Sequence, residues 1–411
     1  MKVQVPERLL SLDIFRGVTI AAMILVNNLA YWSDSLRVLR LTHAEWNGCN
    51  FADLIFPFFI FIVGVSSEFS LEKRVNAEES LARYRHILVR TAVLFFMGLL
   101  TGSGLIFGWL FQVICPPAEV QKSIWGIFLS PPPGAEVYFF SLANLRIPGV
   151  LQRIALVYLP LSIILIHTRW RVQALLTGGL LLLYWGLMSL PGFAMQPGED
   201  LGAAIDRAVS GEAHLWRYTR TWDPEGLLGT LPAIATGLLG ALTGRWLHSD
   251  WERHRKLTGL LLAGFLAIIA GAAWGLVFPL NKYLWTSSYV VYTAGFALIF
   301  LGFWYWLADV RQWRTLLMQP FVWLGMNPLV AYCGAQLGAL ALGVLYLGTP
   351  MEHTHLSALI MKTLFGEDWG GAGLTWLSDP IWPSLFWALI YLSFWTMLMG
   401  IFYRKRLFFK I

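Results

Sequence analysis

A histidine and a carboxylate stand ten residues apart where a polar segment runs into an apolar one. His43 lies in the polar part, and Asp53 lies in the first turn of an apolar helix predicted from about residue 51 to residue 70. A neutral imidazole beside a carboxylate and an amide can take a proton from an attacking nucleophile. We therefore predict catalytic roles for His43 and Asp53, with Asn27 expected at the same depth. The simpler alternative is an interfacial histidine without chemistry.

Polar residues also flank or interrupt several other apolar segments. Arg146 and Arg153 bracket the start of the predicted fourth helix, and Asn327 followed by Pro328 interrupts the ninth. Singly, each such residue is explained by packing or by a helix cap. Together, they predict a polar cavity within a helix bundle. The residues predicted to bind a substrate there are Trp46, Asn47, Arg146, Asp223, Glu225, Trp285, Ser288 and Asn327.

The composition is that of a membrane protein. Hydrophobic residues form 57% of the 411-residue chain and charged residues only 13%, whereas soluble domains carry about 25% charged residues. The net charge of +6 does not indicate nucleic-acid binding, because the basic residues are spread between apolar runs. The three cysteines show neither metal-site spacing nor a disulfide framework. A pairing of Cys49 with Cys115 is left open, and no metal is expected.

Ten apolar runs are long enough to cross a bilayer, so we predict an all-α, polytopic transmembrane bundle forming a single domain over residues 1–411. Segments on one side carry roughly twice as many lysines and arginines as those on the other, which predicts that both termini are cytoplasmic and that His43 faces outward. The runs cover residues 9–31, 51–71, 87–111, 148–167, 172–190, 227–247, 257–279, 287–308, 320–347 and 383–403.

Seven segments match a known family in order. They read SLDIFRG (11–17), VN (26–27), HAEWNG followed by ADLIFPFFIFIVG (43–64), LRIPGVLQRI (145–154), DPEGLLGT (223–230), NKYLWTSSYV (281–290) and GMNPLVAY (325–332). On these motifs the chain resembles the heparan-α-glucosaminide N-acetyltransferase family of membrane enzymes. The resemblance implies transfer of acetyl from cytosolic acetyl-CoA to an amino sugar or glycan on the far side. It places the catalytic histidine at His43, with Asn27 and Asp53 beside it.

The resemblance also implies a form of the family located in a bacterial inner membrane, with a small-molecule amino sugar or glycan as acceptor. The phosphates of acetyl-CoA are expected to pair with basic residues near the inner surface. The candidates are Arg16, Arg74, Arg90, Arg153 and Arg245. A homodimer is left open. The main alternative is a permease for an amino sugar or a related polar solute, since a transporter also needs a polar cavity.

Overall fold

The computed structural model describes most of the chain as a bundle of α-helices. The described residues are 9–29, 41–77, 80–102, 142, 145–216, 218–313, 315–344, 346–347, 354–355 and 381–409. Within these residues there are twelve α-helices: α1 (Leu10–Asn27), α2 (Phe51–Ala77), α3 (Ser80–Gly102), α4 (Val150–His167), α5 (Trp170–Met188), α6 (Leu201–Ser210), α7 (Thr230–His248), α8 (Arg253–Trp274), α9 (Ser287–Tyr305), α10 (Gln319–Met326), α11 (Pro328–Val344) and α12 (Ile381–Arg404).

Short irregular elements complete the described part. A π-helical turn at Trp306–Val310 extends α9, and single 3₁₀ turns lie at Glu212–His214 and Leu316–Met318. Two strands of two residues, β1 (Tyr346–Leu347) and β2 (Thr354–His355), pair antiparallel.

The predicted helical membrane bundle is confirmed. Eight described helices are long and apolar enough to span a bilayer, and a ninth span results if α10 and α11 are counted together. These two helices meet at an angle of 81° around Asn327, where the sequence predicted an interruption. The remaining predicted run, 227–247, forms α7, which has 19 residues but is not among the eight. The chain is an integral, multi-pass membrane protein.

Glycines in helix α7 allow it to pack closely against α2. A Cβ atom built at Gly240 would lie 2.1 Å from the Phe61 carbonyl oxygen of α2, and one built at Gly64 would lie 1.9 Å from the Gly237 carbonyl oxygen. Small residues allow helix backbones to approach closely in this way. This contact fixes α2, which carries Asp53, against the centre of the bundle.

Gly240→Ala should therefore destabilise the protein. The added methyl group cannot fit against the α2 backbone, and overpacking of this kind costs about 1–3 kcal/mol. We expect the midpoint of thermal unfolding in detergent to fall by several degrees. Gly179→Ala in α5 is the matched control, because its Cβ would meet nothing within 4 Å. Equal midpoints for the two variants would contradict this packing.

One helix lies where the sequence predicted a loop. Asp200 caps the start of helix α6, where its carboxylate accepts a hydrogen bond from the Ala203 backbone N–H at 2.9 Å. Gly211 follows the last residue of the helix with a φ of 78°, a backbone conformation that glycine adopts readily. Helix α6 and its neighbouring loops gather at the end of the bundle where α1 ends and where α2, α4, α7 and α9 begin. This end, which holds His43, is called the His43 end below.

Candidate active site

The loop that carries His43 folds back onto the first turn of α2. The Asp53 Oδ2 atom accepts hydrogen bonds from the backbone N–H groups of Ala44 at 3.0 Å and Asn50 at 2.9 Å. The Asn50 side-chain amide in turn donates to the Thr42 carbonyl oxygen at 3.0 Å. A carboxylate in a first helical turn is also favoured by the helix dipole. Asp53 is therefore buried with partners, and it holds the loop in place.

The second oxygen of Asp53 orients the His43 ring. Nδ1 of His43 lies 2.7 Å from Asp53 Oδ1. An ionised carboxylate can only accept hydrogen bonds, so Nδ1 carries the proton and donates it. The lone pair of the neutral ring is then on Nε2. The His43 side chain is 27% exposed and Asp53 is 1% exposed, so the imidazole stands between the carboxylate and open space.

A lysine that the sequence did not single out as a site residue completes the group. The Lys282 ammonium lies 3.0 Å from His43 Nδ1, 3.1 Å from His43 Nε2 and 3.8 Å from Asp53 Oδ1. In the sequence this lysine stands in the motif NKYLWTSSYV (281–290) and among the polar residues before the predicted eighth helix, but it was not predicted to be catalytic or to bind a ligand. The signal that could have found it is its place between Asn281 and two aromatic residues in the motif NKYLW.

The surroundings keep the imidazole neutral. Burial lowers the pKa of His43, and the positive charge of Lys282 lowers it further, while Asp53 opposes the shift. Burial likewise lowers the pKa of the Lys282 ammonium, against the attraction of Asp53 and Glu225. Because the His43 pKa lies below its usual value of about 6.5, the ring can accept a proton at neutral pH.

His43 and Lys282 open onto a large cavity at the His43 end. Its volume is about 930 Å³, within the range of ligand sites. Asn27 lies on its wall, as do Arg146 and Glu225. Apolar side chains from α1 and α2 and the ring of Tyr332 form its deeper part. The cavity thus joins polar reacting groups to an apolar interior.

An arginine and two carboxylates form one side of the cavity. Arg146 donates to Asp223 from Nε at 2.8 Å and from Nη2 at 2.6 Å, and its Nη2 also donates to Glu225. Asp223 is completely buried behind the arginine, whereas Glu225 reaches the cavity. The two carboxylates outnumber this guanidinium, but Lys282 and the buried Arg153 also interact electrostatically with Glu225, so this side of the cavity carries charges of both signs.

Aromatic rings surround the mouth of the cavity. Trp46 stacks on Tyr283 with ring centroids 5.5 Å apart and planes 10° apart, and Trp222 meets both rings edge-on. Trp216 and Tyr218 continue the cluster, and together with Tyr283 they line the cavity. Trp46 and Asn47, both predicted to bind substrate, instead lie outside the described lining. Trp46 donates to the Met195 carbonyl oxygen, and Asn47 accepts from Asn281.

Three other predicted binding residues form buried structural hydrogen bonds. Trp285 donates to Thr236 Oγ1 at 3.2 Å, and Ser288 donates to the Phe278 carbonyl oxygen. Asn327 donates to the Leu407 carbonyl oxygen, so it ties the break between α10 and α11 to the C-terminal segment. All three are at most 1% exposed and lie outside the described cavity lining.

The arginines predicted to hold acetyl-CoA do not form one cluster. Arg16 donates to Ser66 at 2.7 Å, and Arg245 pairs with Glu68 at 2.8 Å, both in the half of the bundle away from His43. Arg153 is buried at the His43 end, where it donates to the Gly226 carbonyl oxygen at 2.7 Å. Arg90 lies over the Tyr158 ring. Arg74 belongs to α2, but its side chain lies outside the described residues.

Within the described residues, no group of three or more His, Cys, Asp or Glu side chains could hold a metal ion. In the part of the chain that the structure describes, Cys49 and Cys333 form no disulfide. Cys115 lies outside the described residues, so its pairing with Cys49 stays an open prediction.

Comparison with known proteins agrees with the sequence motifs. Heparan-alpha-glucosaminide N-acetyltransferase of Homo sapiens is 26% identical over 389 residues, which cover 80% of this chain and 53% of the human protein. The Mus musculus protein of the same name is 24% identical over 464 residues, covering 98% of this chain and 61% of the mouse protein. The chain is a distant relative of the heparan-α-glucosaminide N-acetyltransferases.

The chain covers only part of the length of these two N-acetyltransferases. The chain spans between about half and three fifths of the length of these two relatives. A family model described as "Domain of unknown function (DUF5009)" also matches residues 8–126. That range includes α1, the His43 loop and α2, so the candidate catalytic pair lies within it.

Proposed function

We propose that the protein is a membrane acetyltransferase that moves acetyl from acetyl-CoA to the amine of a sugar or glycan. The observation that carries this proposal is the His43–Asp53 pair, which presents an unprotonated Nε2 at a cavity in the end of a membrane bundle. The distant relationship to proteins named as N-acetyltransferases supports the type of reaction.

In the proposed reaction, His43 acts as the base or as the acetyl carrier. When it acts as base, the acceptor amine attacks the thioester carbonyl carbon, the carbon–sulfur bond breaks, and an amide forms. The proton lost by the nitrogen passes to His43 Nε2 and from there to the CoA sulfur. One amine and one acetyl thioester thus give one amide and one thiol, with no further reactant. Asp53 stabilises the imidazolium that forms in between.

The cavity wall offers an acceptor for the amino group of a sugar. Glu225 reaches the cavity beside Arg146, and its carboxylate can accept a hydrogen bond from an amine. Trp216, Tyr218 and Tyr283 offer ring faces, and aromatic side chains combine a large apolar area with directional contacts. We therefore propose an amino sugar or glycan fragment as acceptor, with Arg146 and Glu225 in contact with it and Asn27 beside the reacting groups.

The proposal includes an arrangement across the membrane. The His43 end would face the non-cytoplasmic side of a bacterial inner membrane, with both termini in the cytoplasm. Acetyl-CoA would bind from the cytoplasm. Arg16 and Arg245 lie in the half of the bundle away from His43, and we propose that they attract its phosphates.

The activity can be tested directly with purified protein. Release of the CoA thiol is measured across a panel of amino sugars, matched hydroxyl sugars that lack the amine, and simple amines. We expect release that depends on an amino sugar and an N-acetylated product. Thiol release that is no faster with any amine than without one would refute the proposal.

The arrangement predicts which cysteine labels from outside. A cysteine in place of Gln196, an exposed residue at the His43 end, should react with a membrane-impermeant maleimide in intact cells. A cysteine in place of Glu252, exposed at the opposite end, should react only after the cells are opened. The reverse pattern would contradict the proposed orientation while leaving the acetyl-transfer chemistry standing.

A further inference from the structure

The proposed proton transfer requires only His43 and Asp53, yet Lys282 contacts both residues. Its ammonium group is nearly buried, with the side chain 13% exposed, and it lines the cavity. Burying an ammonium ion is unfavourable unless a charge or a hydrogen-bond acceptor compensates. Asp53, 3.8 Å away, and the charge of Glu225 compensate only in part, since burial still lowers the pKa of Lys282. The position of this charge therefore calls for a functional explanation.

The hydrogen bonds of His43 limit those that Lys282 can form. Nδ1 of His43 donates its proton to Asp53, so Nδ1 cannot also accept a hydrogen bond from the Lys282 ammonium. Nζ is almost equally far from the two ring nitrogens, 3.0 Å from Nδ1 and 3.1 Å from Nε2, so it lies out of the ring plane and not along the in-plane lone pair of Nε2. The protons of the ammonium that do not face Asp53 are therefore available to another acceptor in the cavity.

We propose that Lys282 donates to the thioester carbonyl oxygen and stabilises the oxyanion formed during acetyl transfer. This inference rests on the proposed function. As the amine nitrogen bonds to the carbonyl carbon, the π electrons of the C=O bond move to oxygen, and Lys282 stabilises that charge. When the carbon–sulfur bond breaks, the electrons return to re-form the C=O bond. Lys282 keeps its proton throughout, so the reaction stays balanced.

The groups around Lys282 fit this role. Asp53 faces it from α2, Glu225 from the segment before α7, and Cys49 and Tyr283 from the adjoining loops. The two nearby carboxylates raise the pKa of the lysine and so oppose its burial, which lowers that pKa. The ammonium in turn keeps the neighbouring imidazole neutral, because two positive charges this close repel each other. One residue would thus favour both the oxyanion and an unprotonated base.

Lys282→Met tests the role, since it removes the charge but keeps an unbranched side chain. Loss of one oxyanion donor lowers kcat by about 10²–10³-fold in well-studied enzymes, and we expect a loss in this range. The dissociation constant of CoA, measured by calorimetry in detergent, should change less than threefold. Lys256→Met removes a lysine near the start of α8, at the opposite end, and should leave kcat unchanged.

A second readout does not depend on turnover. Diethyl pyrocarbonate reacts with a histidine only when its imidazole is neutral, so the pH dependence of His43 modification, followed by peptide mass spectrometry, reports the His43 pKa. Removing the Lys282 charge should raise this pKa, moving the loss of reactivity to higher pH. Lys282→Arg keeps the charge and should keep the lowered pKa. A lysine that only fills space would not produce this difference between the two variants.

The outcomes separate this inference from the proposed function. Near-normal kcat in Lys282→Met, or an unchanged His43 pKa, would overturn the role of Lys282 even if His43→Ala is inactive. If Lys282→Met does not fold, the arginine variant still decides, because a His43 pKa raised in Lys282→Arg contradicts the proposal. Full activity of His43→Ala would instead overturn the proposed function itself.

Discussion

Replacing His43 with alanine is expected to lower kcat/KM by about 10²–10⁴-fold, the usual contribution of a positioned base. The loss is expected because Nε2 of His43 carries the lone pair of the neutral ring, and His43 lines the cavity beside Lys282. The protein should stay folded and bind CoA, because Asp53 keeps its bonds to the loop backbone. Initial rates of CoA release and calorimetric CoA binding measure the two effects.

His254→Ala is the matched control, since His254 is exposed at the opposite end of the bundle and should be dispensable. If His43 instead carries the acetyl group, radiolabelled acetyl will stay on the wild-type protein when acceptor is withheld, and His43→Ala will lose it. Transfer by His43→Ala at the wild-type rate would exclude both roles.

Asp53→Asn is expected to lower kcat by a similar factor, up to about 10⁴-fold. A loss of this size is known where an amide imposes the wrong tautomer on a catalytic histidine. The asparagine oxygen can still accept from the backbone N–H groups of Ala44 and Asn50. Its NH₂ group then faces His43 Nδ1 and donates to it, which places the ring proton on Nε2. The base is thereby blocked without disturbing the fold.

The measurement for Asp53→Asn is kcat alongside the thermal unfolding midpoint, which should shift only slightly. Asp250→Asn, exposed at the opposite end, controls for the loss of a carboxylate. A normal rate would show that Asp53 acts only as a loop anchor. A collapsed midpoint would show that its charge is needed for folding rather than for orienting the ring.

The helices and the pairing of His43 with Asp53 were predictable because both signals are local. Apolar length predicted the membrane bundle, and ten residues separate the imidazole from the carboxylate that holds it. Asn327 was predictable as a helix interruption, but the 81° bend there depends on packing that a single segment does not encode. Helix α6 was missed because ten residues with polar flanks resemble a loop.

The parts of the site that come from distant segments were not predictable in the same way. Lys282 lies 239 residues from His43 in the chain, and no pattern around it indicates that partner. Arg146, Asp223 and Glu225 were each identified, but only the fold joins them into one ion cluster. The sequence also does not distinguish polar residues that bind a ligand from those that form structural hydrogen bonds. The structure places Trp285, Ser288 and Asn327 in buried hydrogen bonds outside the described cavity lining.

Proteoliposomes loaded with an amino sugar on one side and given acetyl-CoA on the other distinguish acetyl transfer from transport. Mass spectrometry follows the N-acetylated and the unmodified sugar over time, with wild-type protein and with His43→Ala. We expect that acetylated sugar accumulates with the wild-type protein, that His43→Ala forms almost none, and that the unmodified sugar stays in its compartment. Passage of unmodified sugar across the membrane, with no acetylated product, would contradict this expectation and establish a permease.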